Sequence, residues 1–350
     1  MRKEWIISLS LTVLGLVLQI GIGPVDWTFF AAPVSYIVLG LLLALIGGMY
    51  ALKVKMNSFP CLCLATGLTL VMGLTEQVPE GGIPWLSQIV YFWPFVLIWT
   101  WFTVLAGLAA LDHLLRWQWR EIPFILTHLG IFVTLVCATL GSADYQTIQL
   151  ASPLGGAPMV IVKDPWLPTV YVGIGLMLAG ALCQLVRRPL VYWIIGLAAF
   201  FGFIAWRFIM PKFPHLQSPW FAPHIMAYMM AYTILAVATV LAIYSLIRGQ
   251  ESAVMDKLVL AGVALLTFGM LLGALWAKEA WGDFWLWDPK ETWAAITWLT
   301  YLIYVHIRKD RPEAWRPAYW LLFFAFLCLQ MSWWGINYLP SAQGHSLHLY

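Results

Sequence analysis

Apolar residues run through this chain in long blocks, and the polar positions fall almost entirely between the blocks. A helix needs roughly 20 apolar residues to cross the hydrocarbon core of a bilayer, where backbone groups must satisfy one another without water. The pattern therefore predicts an all-α, polytopic transmembrane bundle with about 11 spans. The predicted spans are residues 5–22, 34–52, 60–75, 91–112, 122–141, 167–186, 189–209, 223–247, 257–277, 291–308 and 316–337.

The polar stretches between the predicted spans alternate in charge. Lysine and arginine concentrate in every second loop, and such loops face the cytoplasm. This pattern predicts a multi-pass protein of the cytoplasmic (inner) membrane, with its N-terminus in the cytoplasm and its C-terminus outside. Because no small-residue cleavage site follows the first apolar run, we expect an uncleaved first span. The basic residues that set this orientation are Arg2, Lys3, Lys53, Lys55, Arg116, Arg120, Arg187, Arg188, Arg248, Lys257, Lys309 and Arg311.

Composition narrows the class of protein. Hydrophobic residues make up 62% of the 350 residues and charged residues only 10%, whereas a soluble domain carries roughly 25% charged residues. The net charge of +3 is too small to indicate a nucleic-acid partner. The five cysteines all lie in apolar runs and form no C-x-x-C pair. They are therefore expected to be buried small residues, not a dithiol or a covalent haem attachment site.

The loop between the ninth and tenth predicted spans, residues 278–290, stands out by its aromatic content. It overlaps the sequence W-G-D-F-W-L-W-D-P-K-E-T-W at residues 281–293, which holds four tryptophans in 13 positions. Asp288, followed by Pro289 and then Glu291, is typical of a capping box at a helix start. A fixed helix start would hold the preceding tryptophans at the outer face, where they form either a stacking platform for a flat ligand such as a porphyrin or an interfacial belt.

The histidines gather near the two predicted membrane faces. His306 is about 23 Å along its helix from Glu291, at about 1.5 Å per residue, so it lies at the cytoplasmic face. Imidazole is a common axial ligand of haem iron, and ionisable groups inside spans are candidates for function. His113 and His215 carry no such support, and we expect them to be packing or interface residues. The candidate ligands are His128 and His306 at the inner face, and His224, His345 and His348 at the outer face.

The spacing W-G-x-x-W-x-W-D, with P-K-E-T-W and the continuation to Tyr304-Val305-His306, resembles the tryptophan-rich "WWD" signature of haem-handling proteins of cytochrome c biogenesis. The likeness is to the CcsA/ResC branch and covers nearly all of residues 167–350. It implies that His306 is the transmembrane histidine of that family. It also implies a haem-binding role for the residues of the signature, which are Trp281, Trp285, Trp287, Asp288 and Trp293.

The same resemblance extends to the outer histidines. The segment S-P-W-F-A-P-H at residues 218–224 looks like the one that carries the first external haem ligand, which is then His224. The family closes on L-H-S-Y, and L-H-L-Y at residues 347–350 fits this pattern with one change. His348 is therefore favoured over His345 as the second external ligand, with His345 as the alternative. Candidate partners of the haem propionates are Lys290, Arg207 and Lys212.

Residues 1–166 resemble a different protein of the same system, the CcsB/ResB partner. The likeness lies in F-I-L-T-H-L-G around His128 and in G-S-A-D-Y-Q at residues 141–146. CcsB proteins carry a large external domain, whereas the matching segment here is only residues 142–166. The resemblance thus implies a fusion: a shortened CcsB-like membrane part (1–166) and a CcsA-like membrane domain (167–350) with its external tryptophan loop.

The function implied by the resemblance is that of a holocytochrome c synthase, a thioether-forming haem lyase. Haem b, as a transient substrate, would load at His128 and His306 and pass to His224 and His348, where the C-x-x-C-H thiols of an apocytochrome c add to it. A CcsB/ResB-type or thiol-reductant partner and membrane lipid are the other expected partners, and no side chain stands out as an acid–base catalyst. Two alternatives stay open. One is a haem exporter or relay without ligation activity, as in the CcmC branch, and the other is a bis-haem electron-transfer subunit that holds its haem permanently.

Overall fold

Ten α-helices account for most of the residues that the structure describes. The structure, a computed structural model, describes residues 2–75, 89–117, 120–144, 146–150, 159–163, 166–186 and 218–339. Each helix in these ranges coincides with a predicted span, while the predicted span 189–209 lies outside them. The helices are α1 (Arg2–Ile22), α2 (Val34–Ala51), α3 (Phe59–Thr75), α4 (Trp93–Arg116), α5 (Ile122–Asp144), α6 (Leu167–Val186), α7 (Phe221–Arg248), α8 (Met255–Trp281), α9 (Pro289–Asp310) and α10 (Trp315–Trp333).

The prediction of eleven spans is wrong in its count. Within the described residues, 6 helices are long and apolar enough to cross a membrane, namely α1, α2, α4, α6, α7 and α8. The apolar parts of α3 and α5 are shorter. Helix α9 is long enough but carries many polar residues, and most of its side chains are buried between other helices. A helix that is surrounded by protein does not need a lipid-facing apolar surface, so its hydropathy is low. The chain is thus a multi-pass membrane protein.

The ends of the described helices gather at two ends of the bundle. The loop of residues 282–288 marks one end, here called the tryptophan end. The opposite end, here called the basic end, contains the last turns of α4, α7 and α9, each of which carries a basic residue. Contacts across the chain agree with this division. The indole of Trp93 at the start of α4 donates to the carbonyl of Gly23 after α1 at the tryptophan end, while Asn57 donates to Asp310 at the basic end.

Helix α9 lies at the centre of the packing, in contact with α3, α8 and α10. Leu299 and Tyr301, near its middle, are completely shielded from solvent. By contrast, α1 has only 11% of its apolar span buried, and its exposed leucines and isoleucines form a surface suited to lipid. The contact of α3 with α9 joins the two predicted parts of the chain, 1–166 and 167–350, whose division stays a prediction.

Small residues let α5 and α6 pack closely. A Cβ atom added to Gly130 would lie 2.5 Å from the side chain of Met177, and one added to Gly173 would lie 2.4 Å from the hydroxyl of Thr134. Glycine at such positions allows two helices to approach within a distance that any side chain would prevent. This close contact fixes the start of α5, and with it His128, relative to α6.

The described residues also contain one β-hairpin. After α5, strand β1 (Gln146–Leu150) pairs antiparallel with strand β2 (Met159–Lys163), with Ile148 opposite Ile161. The strands lie within residues 142–166, which were predicted to be a short external segment, and they depart from the predicted all-α fold. The two strands follow α5 and precede α6, so they lie toward the tryptophan end of the bundle.

Candidate functional site

The tryptophan loop begins with a left-handed turn. Helix α8 ends at Trp281, and Gly282 has a φ of 93°, a conformation that glycine adopts without steric cost. The ammonium group of Lys278 donates to the carbonyl of Gly282 at 2.6 Å and lies 5.2 Å from the ring centre of Phe284. The lysine therefore closes the end of α8 and ties the first part of the loop to it.

The far end of the loop is fixed by the capping box that the sequence predicted. The Asp288 carboxylate accepts from the Glu291 backbone N–H at 2.8 Å, and the Glu291 carboxylate accepts from the backbone N–H of Asp288 at 3.3 Å and of Leu286 at 2.7 Å. The hydroxyl of Thr292 donates to the carbonyl of Trp287. Trp287 itself has a φ of 57°, which is unusual for a bulky residue. The hydrogen bonds on both sides hold it in this conformation.

The side chains of the loop form an aromatic wall with α4. The ring of Trp287 lies 5.4 Å from that of Phe95, 6.1 Å from that of Trp99 and 5.7 Å from that of Trp285, each time edge to face. The indole nitrogens of Trp99 and Trp285 are shielded from solvent and have no hydrogen-bond partner among the described residues. Buried donors of this kind normally have a partner. These two N–H groups, on rings that both contact Trp287, are thus suited to a ligand with acceptor groups.

Trp293 of the signature does not share this wall. Trp293 lies one turn into α9 and is buried against Ile296 and Cys328. It therefore packs in the core, apart from Trp285 and Trp287. The backbone of Trp281 is the end of α8, and its side chain lies outside the described residues.

His224 lies in the first turn of α7, and two glycines of α8 make room for it. Its Nδ1 lies 2.8 Å from the carbonyl oxygen of Gly269. A Cβ atom at Gly273, one turn further, would lie 2.6 Å from the imidazole. The imidazole stacks on Trp276 at 5.9 Å and meets the ring of Tyr228 at 4.9 Å. Because a carbonyl oxygen can only accept, His224 carries its proton on Nδ1 and its lone pair on Nε2, the form that binds a metal ion.

Tyr228 connects His224 with α9. Its ring meets the imidazole of His224 at a centre-to-centre distance of 4.9 Å. It also lines a narrow cleft, together with Tyr232 of α7, Met270 of α8 and Thr297 of α9. His224 therefore lies next to a side chain that faces the region between α7, α8 and α9.

A larger cavity opens between α6 and α8. Its volume is about 270 Å³, slightly below the roughly 300–1,000 Å³ usual for small-molecule sites. Apolar side chains and Tyr171 line it, together with Glu279, whose carboxylate accepts from the indole of Trp220 at 2.8 Å and from the hydroxyl of Ser218. The cavity can hold part of a porphyrin-sized ligand but not the whole of it.

His128 and His306 both lie toward the basic end. Each imidazole has its Nδ1 2.8 Å from the carbonyl oxygen four residues earlier in its own helix, Phe124 for His128 and Leu302 for His306. Both histidines therefore carry the proton on Nδ1 and the lone pair on Nε2, as His224 does. The two predicted inner histidines thus lie toward the same end of the bundle, each with the same tautomer.

A third histidine, His113, joins this group, although the sequence analysis expected it to be a packing residue. It lies in the last turn of α4, and its ring centre is 5.6 Å from that of His128 and 6.0 Å from that of Phe124. Its Nδ1 is 2.9 Å from the carboxylate of Glu121. Only the turn between α4 and α5 places these residues together, so no linear spacing could have indicated the contact.

Charged groups at the basic end pair with each other. Arg308, whose side chain is 10% exposed, binds Asp256 through its Nε at 3.0 Å and also binds Glu251. The hydroxyl of Tyr304 donates to the same aspartate at 2.6 Å. This network joins the start of α8 to the end of α9.

Four predicted site residues lie outside the part of the chain that the structure describes. The two tail histidines, His345 and His348, and the candidate propionate partners Arg207 and Lys212 lie outside the described residues. Lys290 is in the first turn of α9 beside Asp288, half-buried. The residues that sequence reasoning missed are Phe95, Trp99, His113, Glu121, Gly269, Gly273 and Trp276.

The C-terminal half of the chain is similar in sequence to known proteins. Residues 179–342 match the family described as "Cytochrome C assembly protein". The protein named cytochrome c biogenesis protein CcsA is 35% identical over 156 residues in Chlamydomonas reinhardtii, covering 40% of this chain and 43% of the relative. The protein of that name in Guillardia theta is 34% identical over 177 residues, covering 40% of this chain and 56% of the relative. The protein of that name in Spinacia oleracea is 43% identical over 94 residues, covering 27% and 28%.

The chain therefore spans about half, or less, of the length of these relatives. Over its C-terminal half it is similar to the cytochrome c assembly family, which agrees with the resemblance inferred from the tryptophan signature. The match begins at residue 179, so the resemblance of residues 1–166 to CcsB/ResB stays a prediction.

Proposed function

We propose that this chain is a cytochrome c haem lyase of the inner (cytoplasmic) membrane, which moves haem b to the outer face and attaches it to an apocytochrome c. The likeness of residues 179–342 to the cytochrome c assembly family supports a role in handling haem for that process. The six helices suited to membrane crossing agree with a protein that works across a bilayer.

The observation that carries the proposal is the state of the three described histidines that the sequence selected as iron ligands. His128, His224 and His306 each place Nδ1 at 2.8 Å from a carbonyl oxygen. This bond fixes the tautomer and the ring orientation, as in many metal sites. A neutral imidazole with its lone pair on Nε2 is the species that haem iron binds.

In the proposed outer site, His224 and His348 hold the haem iron. The wall of Trp285 and Trp287 packs against the porphyrin, and the buried indole N–H groups of Trp99 and Trp285 donate to its carboxylate or other acceptor groups. Those donors are shielded from solvent, so a hydrogen bond to a ligand there does not compete with water.

In the proposed inner site, His128 and His306 receive haem at the basic end, which faces the cytoplasm. The haem then passes toward the tryptophan end, where Glu291 at the start of α9 lies about 23 Å along the helix from His306, at about 1.5 Å per residue. The direction follows from the concentration of lysine and arginine at that end of the bundle.

The chemistry of attachment belongs to the haem and the two cysteine thiols. Each S–H adds across one vinyl C=C bond, so that one C–S and one C–H bond form and no oxidant is consumed. The protein orients the vinyl groups and the iron. The thiols must be reduced, which is why a thiol-reductant partner, and a CcsB/ResB-type subunit to present the apocytochrome, belong to this proposal.

The test is expression of the full chain with a C-x-x-C-H apocytochrome in a host without its own maturation system. A haem-stained band that survives denaturing electrophoresis is expected, and an apocytochrome with both cysteines changed to alanine should give none. Haem bound to the purified chain without a covalent product would indicate the relay function instead. Stoichiometric haem that cannot be transferred would favour the electron-transfer subunit.

The orientation has its own test. A reporter fused after Arg188 should respond as cytoplasmic, and one inserted within residues 278–290 as external. The opposite result would place the tryptophan loop beside the haem supply and reverse the proposed direction of transfer.

A further inference from the structure

The cavity between α6 and α8 takes no part in the proposed haem sites. Its volume is about 270 Å³. Ile174 and Leu178 of α6 and Leu275 of α8 give it an apolar wall, and Glu279 of α8 is the acidic residue among the described residues that line it. An apolar space with one charged group suits an amphiphile, a molecule with an apolar part and a polar end.

The polar and apolar parts of the cavity lie at different depths. Helix α6 begins at the tryptophan end, where the ring of Tyr171 lies 5.3 Å from that of Phe284 in the tryptophan loop. At about 1.5 Å per residue, Tyr171 lies about 6 Å and Leu178 about 17 Å along α6 from its first residue. Glu279 is in the last turn of α8, which ends at the same loop. The carboxylate therefore lies at the tryptophan end, and the apolar wall extends from there toward the middle of the bundle.

The cavity also opens on the surface of the bundle. It lies between α6 and α8, and both helices are long and apolar enough to cross a membrane. Tyr171 is 45% exposed, and Gly175, one turn further along α6, is exposed as well. Tyrosine and tryptophan are enriched where a membrane protein meets the lipid headgroups, and Tyr171 and Trp220 both line the cavity. A lipid can therefore reach this space from the bilayer.

The carboxylate of Glu279 is oriented and favours a cationic donor. One of its oxygens accepts from the indole N–H of Trp220 at 2.8 Å and the other from the hydroxyl of Ser218 at 2.6 Å. A carboxylate has about four acceptor positions, so these two bonds leave room for further donors. Its negative charge repels the propionates of haem and an anionic lipid headgroup. A primary ammonium group, by contrast, would donate a charge-assisted hydrogen bond to it.

We infer that the cavity binds one membrane lipid with a primary ammonium headgroup, the chemistry of phosphatidylethanolamine. Part of an acyl chain packs against Ile174, Leu178 and Leu275, and the ammonium group donates to Glu279. This inference rests on the membrane setting and does not depend on the proposed haem chemistry. Because Tyr171 lines the cavity and contacts Phe284, the bound lipid also packs beside the tryptophan loop.

The experiment is native mass spectrometry of the full chain, released from detergent micelles with added phosphatidylethanolamine, phosphatidylglycerol or phosphatidylcholine of identical acyl chains. One phosphatidylethanolamine per chain should be retained about 10-fold better than either other lipid, as expected for one charge-assisted hydrogen bond. Glu279→Gln keeps an acceptor oxygen for the indole of Trp220 and removes the charge. This variant should therefore lose the preference among the three lipids.

A second variant fills the cavity. A Cβ atom at Gly175 would meet nothing within 4 Å, so Gly175→Leu adds a side chain to the lining without a clash and should remove the retained lipid. Gly40→Leu in α2 is the matched control, because its Cβ atom also meets nothing within 4 Å, and it should retain lipid as the wild type does. Thermal unfolding checks that each variant folds. If Gly175→Leu does not fold, Glu279→Gln decides the question by itself.

The outcomes separate this inference from the proposed function. Equal retention of the three lipids by the wild type, or an unchanged preference in Glu279→Gln, would overturn the lipid site. Loss of haem from Gly175→Leu with lipid retention unchanged would assign the cavity to haem and also overturn it. A preference for phosphatidylethanolamine that depends on Glu279, in a chain that matures no cytochrome, would support the lipid site and contradict the proposed function.

Discussion

The two ends of this bundle treat buried polar groups in opposite ways. At the basic end, the charged groups satisfy each other: Arg308 binds Asp256 and Glu251, and Tyr304 donates to the same aspartate. At the tryptophan end, the indole N–H groups of Trp99 and Trp285 are buried with no partner among the described residues. A satisfied network stabilises the fold, whereas unsatisfied donors keep their hydrogen-bonding capacity for a ligand. The two indole N–H groups at the tryptophan end are therefore available to the acceptor groups of a ligand.

The backbone around the two ends supports the same contrast. At the tryptophan end, Gly282 and the capping box of Asp288 and Glu291 fix the loop from both sides. The backbone of the loop is therefore fixed, although the indole N–H of Trp285 that it presents has no partner among the described residues. A fixed backbone with a donor left for a ligand is what a preorganised binding surface requires.

The largest expected effect is at His224. Replacing it with alanine should remove the low-spin haem signal of the outer site and reduce cytochrome maturation to the background of a host without the chain, because the iron loses an axial ligand. Added imidazole should restore part of the signal. The absorption spectrum and haem staining measure both. His348→Ala and His345→Ala, compared side by side, decide which tail histidine is the second ligand, and normal maturation by His224→Ala would refute the outer site.

A somewhat smaller effect is expected from Gly273→Ala. The new Cβ atom would lie 2.6 Å from the His224 imidazole, so the ring must turn away from the carbonyl of Gly269. We expect haem retention to fall about 10-fold or more, since a displaced ligand acts like a lost supporting residue. Gly67→Ala in α3, where the Cβ atom meets nothing within 4 Å, is the control. Equal spectra for the two variants would show that His224 does not bind the iron in its observed position.

At the basic end, we expect a loss of stability and no direct effect on a ligand of the tryptophan end. Arg308→Met removes hydrogen bonds from Asp256 and Glu251 and should lower the free energy of unfolding by about 1–3 kcal/mol. Its partners are 45% and 40% exposed, so the loss stays below that of a fully buried pair. Arg116→Met breaks an exposed pair and should change the free energy of unfolding by less than about 1 kcal/mol. Unfolding in mixed detergent micelles measures both, and equal values would contradict the contrast.

The smallest effect is expected from Trp99→Phe, which keeps an aromatic ring and removes the N–H. Because the indole nitrogen has no partner among the described residues, the variant should unfold at nearly the wild-type temperature. Haem retention should fall about 5-fold, equivalent to one hydrogen bond of about 1 kcal/mol. Trp27→Phe is the matched control, since the indole of Trp27 donates to the carbonyl of Val90. It should lower stability and leave haem retention unchanged; the reverse pattern would count against a ligand at Trp99.

Local features of this molecule were predictable from sequence, and contacts between distant segments were not. Helix positions follow from runs of apolar residues, and ten of the predicted positions are confirmed as helices within the described residues. The capping box of Asp288 and Glu291 depends on neighbours in sequence and was also confirmed. The number of spans was wrong in part because the apolar stretches of α3 and α5 are short. Helix α9 is also buried in protein, which reduces the need for apolar residues.

The composition of the site shows the same limit. Trp285 and Trp287 could be selected from their spacing, but their partner Trp99 comes from α4, almost 190 residues earlier in the chain. The core position of Trp293 depends on α10 and could not be read from its place in the signature. In the sequence, His113 looked isolated. Its contacts with Glu121 and His128 are made across the turn between α4 and α5.

The left-handed backbone of Trp287 has a consequence for selection. A φ of 57° at a bulky residue costs on the order of 1–2 kcal/mol, which glycine would recover. Glycine would also delete the ring that joins the loop to Phe95 and Trp99. A library at residue 287 that is sorted only for heat resistance would thus be enriched in small residues. The same library sorted for haem retention would keep the tryptophan, so the two screens would enrich different amino acids at one position.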